Sequence, residues 1–576
     1  MRGNGGVNPD GSYAVNVNGR IGADAAQGMN IRINPQVAQI LKRVSGTAPY
    51  ELHVSGAKNA LPRIEAKSDL TGLGLDFPAP FAKAQGTPMP FAFSFEPVAG
   101  DTAGRHDARL TLGPVAAHYL LQQAGKTQLN VVRGAIGVNK PADLPSQGVA
   151  AAVDLNELDA DAWRKLIAGL NPAQSPQAQK AAQPPAMNEN LKQFLPTRLA
   201  LHFTTLKLLN RHWENVVIGA SETDRMWQAN IASNQVSGYV AWTPGATKGS
   251  PGALVARFAK VVIPEKAEND LVGQVIRKPP RNMPSIDLIV NEVVFRGRPV
   301  GQLEVNAHNE VESGVPVWRL DRLRFANPEA TLTATANWRP LAGAHAPSDD
   351  DDPPRHTALE FKLDLDDTGR LLDRFGLPRT MNAGRGIVSG KADWDGSPAA
   401  LDLPTLNGSL DVELRHGQIL KVEPGAAKLL GVLSLQSLAH LLTLNFQDVV
   451  GKGLPFDRIS GTATIQNGIG RTNDFTMVTS PARVELKGMV NLPKETQNLN
   501  ASVIPTISAG TVALGAAVIN PLLGLGTLLA DILLSKSIGL AFSRDYSITG
   551  SWSKPVIQRV HGDQGKIEAP AAAVAP

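Results

Sequence analysis

The sequence contains no cysteine. That excludes disulfides, thiolate metal sites and cysteine nucleophiles, and it suits either a reducing compartment or an envelope protein that avoids thiols. Aromatic residues make up only 5% and no run of lysine or arginine stands out, while the 56 basic and 52 acidic side chains nearly cancel. Neither a stacking platform nor an electrostatic funnel is present, so no nucleic-acid partner is expected. The opening residues, MRGNGGVNPDGSYAVNVNG, carry no apolar signal region and no anchor and lead straight into strand-like sequence. The chain therefore reads as cytoplasmic or as the carboxy-terminal part of something longer.

Long apolar runs are scarce as well. One stretch, TVALGAAVINPLLGLGTLLADILL from Thr511 to Leu534, has a single charge. An unbroken helix of that length would run roughly 36 Å against a hydrocarbon core of ~30 Å. Pro521 lacks a backbone N–H and Asn520 is a good N-cap, so the stretch reads as helix, break, helix, with each piece too short to span. On a helical wheel Leu514, Val518, Leu522, Leu525, Leu529 and Ile532 share one sector, opposite Asn520, Thr527 and Asp531. An amphipathic hairpin that meets a membrane surface is expected, with packing against the protein's own sheet as the alternative.

What is present in quantity is turn-forming residues, 54 Gly and 42 Pro, and alternation of period two. In ATLTATANW, Ala330, Leu332, Ala334, Ala336 and Trp338 share a face opposite Thr331, Thr333, Thr335 and Asn337. Val484, Leu486, Val490 and Leu492 do the same opposite Arg483, Glu485, Lys487 and Asn491, and SLDVELRHG places Leu410, Val412 and Leu414 together. These are antiparallel strands with one wet face. Several end on a tryptophan before a turn, at Trp242, Trp338, Trp394 and Trp552. Short helices are expected near residue 40, from Asp159, from Thr368 and from Gly425, too few to cover so many one-faced strands. The sheet must close on itself or stay open as a trough for an apolar ligand.

Chemistry-bearing motifs are sparse. The eleven histidines show no metal-ligand spacing, so neither a metal nor a cofactor is expected. DLDDTG, Asp364 to Gly369, lacks the bidentate glutamate of a calcium loop and reads as a strand end followed by a helix cap. SGAK, 55 to 58, lacks the companion elements of a Ser-x-x-Lys enzyme, and GLGTLL lacks the preceding strand of a dinucleotide loop. The chain reads as a non-enzyme.

The stretch from Gly417 onward presents Glu423, Pro424 and Gly425, then Leu444, Phe446 and Asp448, Gly453, Phe456 and Asp457, Gly461, Gly468, Thr472, Pro481, Ala482 and Gly488 in order. After these come the apolar hairpin and YSITGSWSKPVI. Upstream lies LTGLGLDFPAPFAKA, 70 to 84. In these features the chain resembles the YhdP family of AsmA-like envelope proteins, most closely after residue 360. It departs at Ala439, His440 and Asn445, where the family has charged residues.

The resemblance implies a mainly β fold: an elongated, curled antiparallel sheet with an open hydrophobic groove, few short helices and a carboxy-terminal helical hairpin. The organisation expected is 1–169, β-rich groove segment; 170–198, Pro/Gln/Ala-rich linker or loop; 199–508, β-rich groove segment with a helix near 425–442; 509–537, amphipathic helical hairpin; 538–560, terminal strand; 561–576, disordered tail. It further implies a periplasmic location, with an inner-membrane anchor in an amino-terminal part outside this sequence. The expected function is bridge-like phospholipid transport between inner and outer membranes, with phospholipid and the outer membrane's inner leaflet as partners. Candidate groove-lining residues are Leu332, Ala334, Leu410, Val412, Leu414, Val484, Leu486 and Val490. The rival readings are a scaffold or assembly factor for outer-membrane components and an enzyme acting on envelope glycans.

Overall fold

In a computed structural model the described residues are 2–22, 39–58, 60–125, 128–169, 192–246, 250–263, 283–341, 354–420, 453–480, 482–506 and 543–560. The helix expected near 425–442, the hairpin at 509–537, the tail and most of the 170–198 linker lie outside them. The chain divides into two compact units, Met1–Pro244 and Gly245–Pro576.

The first unit is a sheet of strands running from Arg2–Val7 to Val236–Thr243. Most steps are antiparallel, but Gly148–Asp159 pairs in parallel with both Gln128–Val138 and Arg198–Leu208. A parallel step needs a crossover, and the helix Ala160–Gly169 forms part of the second one. That helix starts where Asp159 Oδ1 accepts the N–H of Ala162 at 2.7 Å, as an N-cap should.

The second unit begins with one parallel step, Ala253–Ile263 on Ser285–Phe295, and continues antiparallel to Lys554–Val560. Tight turns set the registers. Arg296–Gly297, Ser313–Gly314 and Asn467–Gly468 are two-residue turns with φ positive at both positions, the geometry whose twist matches that of the strands it joins. The sheet is open: among the described residues Lys554–Val560 pairs only with Arg544–Ser551. Alternation holds as read from the sequence. Ala330, Ala334, Ala336 and Trp338 are buried while Thr335 is exposed, and Val484 and Leu486 are buried while Arg483 and Lys487 are exposed. Of the four strand-ending tryptophans, Trp338, Trp394 and Trp552 are buried in this unit; Trp242, in the first unit, is 37% exposed.

The helix expected from Thr368 is present as Thr368–Arg374. Asp367 caps it by accepting the N–H of Arg370, so DLDDTG is indeed a strand end and a helix cap. The helix presses Leu371 and Leu372 onto the core built around Ile459, Met477 and Val484.

Candidate functional site

Strand pairing carries the apolar positions of the second unit across the sheet in rows. One row runs Ala256, Leu288, Val305, Leu323, Ala334, Phe361, Gly390, Leu410, Ala463, each directly opposite the next. A second contains Leu332, Leu363, Val388, Val412 and Gly461, and a third Leu414, Ile459, Met477, Val484 and Val503. None of these positions is charged or polar. The opposite face at the same level reads Thr333, Lys362, Ser389, Asp411, Thr462. A one-residue shift in register would exchange the two sets, so pairing and alternation together define an inner and an outer face.

All eight residues proposed from sequence as groove-lining therefore share the inner face. They differ in depth. Val484 is fully buried and Val412, Leu414 and Leu486 are 2% exposed, whereas Leu332, Leu410 and Val490 are only half-buried. The inner face is thus packed solid around Ile459, Met477 and Ile548, with further buried clusters around Trp318 and Trp338 and around Val290 and Val300, and is partly exposed at Leu332, Leu410 and Val490. The hairpin residues Leu514, Val518, Leu522, Leu525, Leu529 and Ile532 lie outside the described residues.

Four of the eight, Leu410, Val412, Leu486 and Val490, converge with Ile465, Phe475, Leu492 and Leu499 on an apolar cavity of about 60 Å³. Gly461, Gly470 and Gly488 also line it. A β-bulge makes this possible. Gly470 and Thr472 face inward, and strict alternation would then place Asp474 and Thr476 inward too. The register shifts between Thr472 and Phe475 instead, which returns Phe475 and Met477 to the inner face. Neither Gly470 nor Phe475 is among the groove-lining residues expected from sequence, and the strand Ile469–Val478 that holds them does not alternate throughout. The signal was the change of parity from Gly470 to the Phe475 and Met477 pair.

Tryptophans mark one end of the rows. Trp318 and Trp338 are direct cross-strand partners, and Thr357 and Trp394 continue the same line. Trp318 Nε1 donates to the Pro284 carbonyl at 2.9 Å and Trp394 Nε1 to that of Ser397 at 3.0 Å. The Arg355 guanidinium lies 4.4 Å over the Trp338 ring, a cation–π contact at the edge of the apolar face. Glu329 is held well below the usual carboxylate range by the Arg374 guanidinium, against the opposing effect of its burial. Among the described residues no group of three or more His, Asp or Glu side chains is placed to hold a metal ion, and no helix is long and apolar enough to cross a membrane.

The LTGLGLDFPAPFAKA element folds back on the first unit's sheet. Its Lys83 is buried, with Nζ donating to the carbonyls of Leu73 at 2.6 Å and Ala84 at 3.2 Å. Phe81 meets Trp163 edge-on at 5.9 Å, and Trp163 Nε1 donates to the Ala79 carbonyl. The element ties the helix Ala160–Gly169 to the sheet.

A one-faced β-sheet with an uncharged inner row is an architecture that several families could share. The family model described as YhdP protein matches residues 4–557. The chain belongs to the YhdP family. The match takes in strands of both units of this YhdP-family chain. Over 205 residues it is 31% identical to the intermembrane phospholipid transporter YhdP of Escherichia coli (strain K12), a stretch that covers 35% of this chain and 16% of that protein. No solved structure matches the chain.

Proposed function

We propose that this YhdP-family chain carries phospholipid between the inner and outer membranes of a Gram-negative envelope, with acyl chains along the inner face of the second unit's sheet and head groups at its open edge. One observation carries the reading: the row from Ala256 to Ala463 crosses nine consecutive strands without a polar side chain. At ~4.8 Å per strand that row extends roughly 40 Å. A 16-carbon acyl chain leaving a bilayer loses about 0.8 kcal/mol per CH₂, roughly 12 kcal/mol in all, and only a continuous apolar surface offsets such a loss. No reactive side chain is required. In this reading the segment from Thr511 to Leu534 makes the contact with the outer membrane's inner leaflet; liposome flotation should weaken when Leu525 and Leu529 are both changed to Asp.

A scaffold reading draws support from the block around Ile459, Met477, Val484 and Ile548, which is packed as tightly as an ordinary core. The experiment that separates the two compares adjacent positions on opposite faces. Leu486 is too deeply buried for a clean test; Leu332 is half-buried and Thr333 faces the other way. In the full-length protein, Leu332→Asp should reduce phospholipid movement to the outer membrane at unchanged abundance, because an unpaired carboxylate on the path is costly and holds water. Thr333→Asp should leave it unchanged. Equal transport by both variants would remove the inner face as the conduit and favour the scaffold.

A further inference from the structure

We infer that the cavity between Leu410, Ile465, Gly470 and Val490 is an acyl-chain subsite, and that Gly470 determines how much chain it accepts. The inference rests on the transport reading and adds to it a particular place and a particular residue.

Three glycines, Gly461, Gly470 and Gly488, line the cavity. Two are demanded by the backbone. A Cβ on Gly461 would lie 2.6 Å from the Phe475 Cα, and Gly488 has φ +138° with the Asn498 carbonyl oxygen 2.4 Å from where its Cβ would be. Gly470 differs. Its backbone is ordinary for an L residue, and a Cβ there would meet only side chains, Val490 Cγ2 at 3.0 Å and Ile465 Cγ1 at 3.9 Å. Glycine in a strand interior weakens it by leaving nothing to pack, so at Gly470 the fold carries a residue that neither its dihedrals nor a backbone contact requires. Gly470 lines the cavity, and a side chain there would project toward Val490 and Ile465, two more of its lining residues.

The cavity's shape and chemistry select the occupant. Its walls are mostly aliphatic, with Phe475 the aromatic member and Thr462, Arg471 and Thr472 the polar ones. About 60 Å³ is far too little for a helix, whose diameter with side chains is ~10–12 Å. A few methylene groups fit. Leu410 and Ala463, the last two members of the uncharged row, are themselves among its lining residues, so a chain lying along the row reaches the cavity without leaving apolar surface.

The test places a photoreactive amino acid at Val490, beside the cavity, or at Leu332, on the inner face but outside it, and exposes the full chain to vesicles of phosphatidylethanolamine and phosphatidylglycerol. Lipid adducts at both positions are expected, and Gly470→Leu should lower the Val490 adduct about tenfold by denying the cavity to about two methylene groups while leaving the Leu332 adduct unchanged. Gly470→Ala, a milder change, should give an intermediate yield, so a folding failure of the leucine variant does not remove the test. Adducts at Leu332 but not at Val490 would overturn the subsite and leave the transport reading standing; adducts at neither would overturn both. A Val490 adduct to another part of the same chain, such as Thr511 to Leu534, or to a second copy, would overturn the assignment of the cavity to lipid. So would a lipid adduct at Val490 that Gly470→Leu does not diminish.

Discussion

Glu329 and Arg374, 45 residues apart in sequence, meet as a two-pronged ion pair: Arg374 Nε donates to Glu329 Oε2 at 2.6 Å and Nη2 to Oε1 at 2.7 Å. Arg374 also donates to the Pro299 carbonyl, and Arg298 to that of Asp373. The hairpin turns closed by Phe295 and Arg298 and by Asn327 and Ala330 are thereby tied to the helix Thr368–Arg374, which holds Leu371 and Leu372 over the core. Glu329→Gln should destabilise the second unit by about 2–3 kcal/mol, because the guanidinium loses its counter-charge where water reaches it poorly. Arg374→Met combined with Glu329→Gln should recover part of that loss. Hydrogen exchange of the strands Ala330–Pro340 and Met381–Asp395 would report both. The folded-state carboxyl is depressed by Arg374, so its stabilisation is present above the range of a free glutamate, near pH ~4.3, and is lost as pH falls through the folded value.

In the first unit Asp161 pins a turn. Its two carboxylate oxygens accept the N–H groups of Leu209 at 2.9 Å and Asn210 at 2.7 Å, residues whose φ is +58° at both positions. Asp161→Ala should cost about 1–3 kcal/mol, since it leaves two part-buried backbone donors without their carboxylate. Those donors, Asn210 first, lower the Asp161 carboxyl, so the contribution again disappears on acidification and not on the alkaline side. Faster exchange confined to the strands Arg198–Leu208 and Arg211–Thr223 would be the signature.

His308 has the opposite sign. Asp321 Oδ2 lies 2.6 Å from its Nδ1 and raises its pKa, with Glu310 adding to the effect. Its contribution to stability is complete below the free-histidine range, near pH ~6.5, and is lost as pH rises through the raised folded value. An NMR titration should place His308 above a free histidine, and Asp321→Asn should bring it back down.

At the end of the rows, Trp338→Ala should cost about 3–5 kcal/mol, since it empties a site beside Trp318, Leu320 and Ala336. Arg355→Ala should cost less, because it removes a side chain from the face of the ring and empties no core site. A thermal scan of both variants checks the order. A loss at Arg355 as large as that at Trp338 would contradict it.

Alternation determined which residues of the second unit could share a face. It put Leu332, Ala334, Leu410, Val412, Leu414, Val484, Leu486 and Val490 on the apolar faces of their strands because successive strand side chains must point to opposite sides. The cap at Asp367 was legible for a similar reason, being a local bond within three residues. Tertiary structure alone decided everything that depends on which strand lies beside which. The nine-strand uncharged row exists only through pairing, and the parallel steps at Gly148–Asp159 and Ala253–Ile263 follow from crossovers that period-two patterns do not encode. The bulge between Thr472 and Phe475 inverts the parity of its strand, which alternation alone does not reveal. The freedom of Gly470 appeared only when Val490 and Ile465 were in place around it. Local periodicity is a property of one strand; depth, register and cavity are properties of strands brought together from distant parts of the chain.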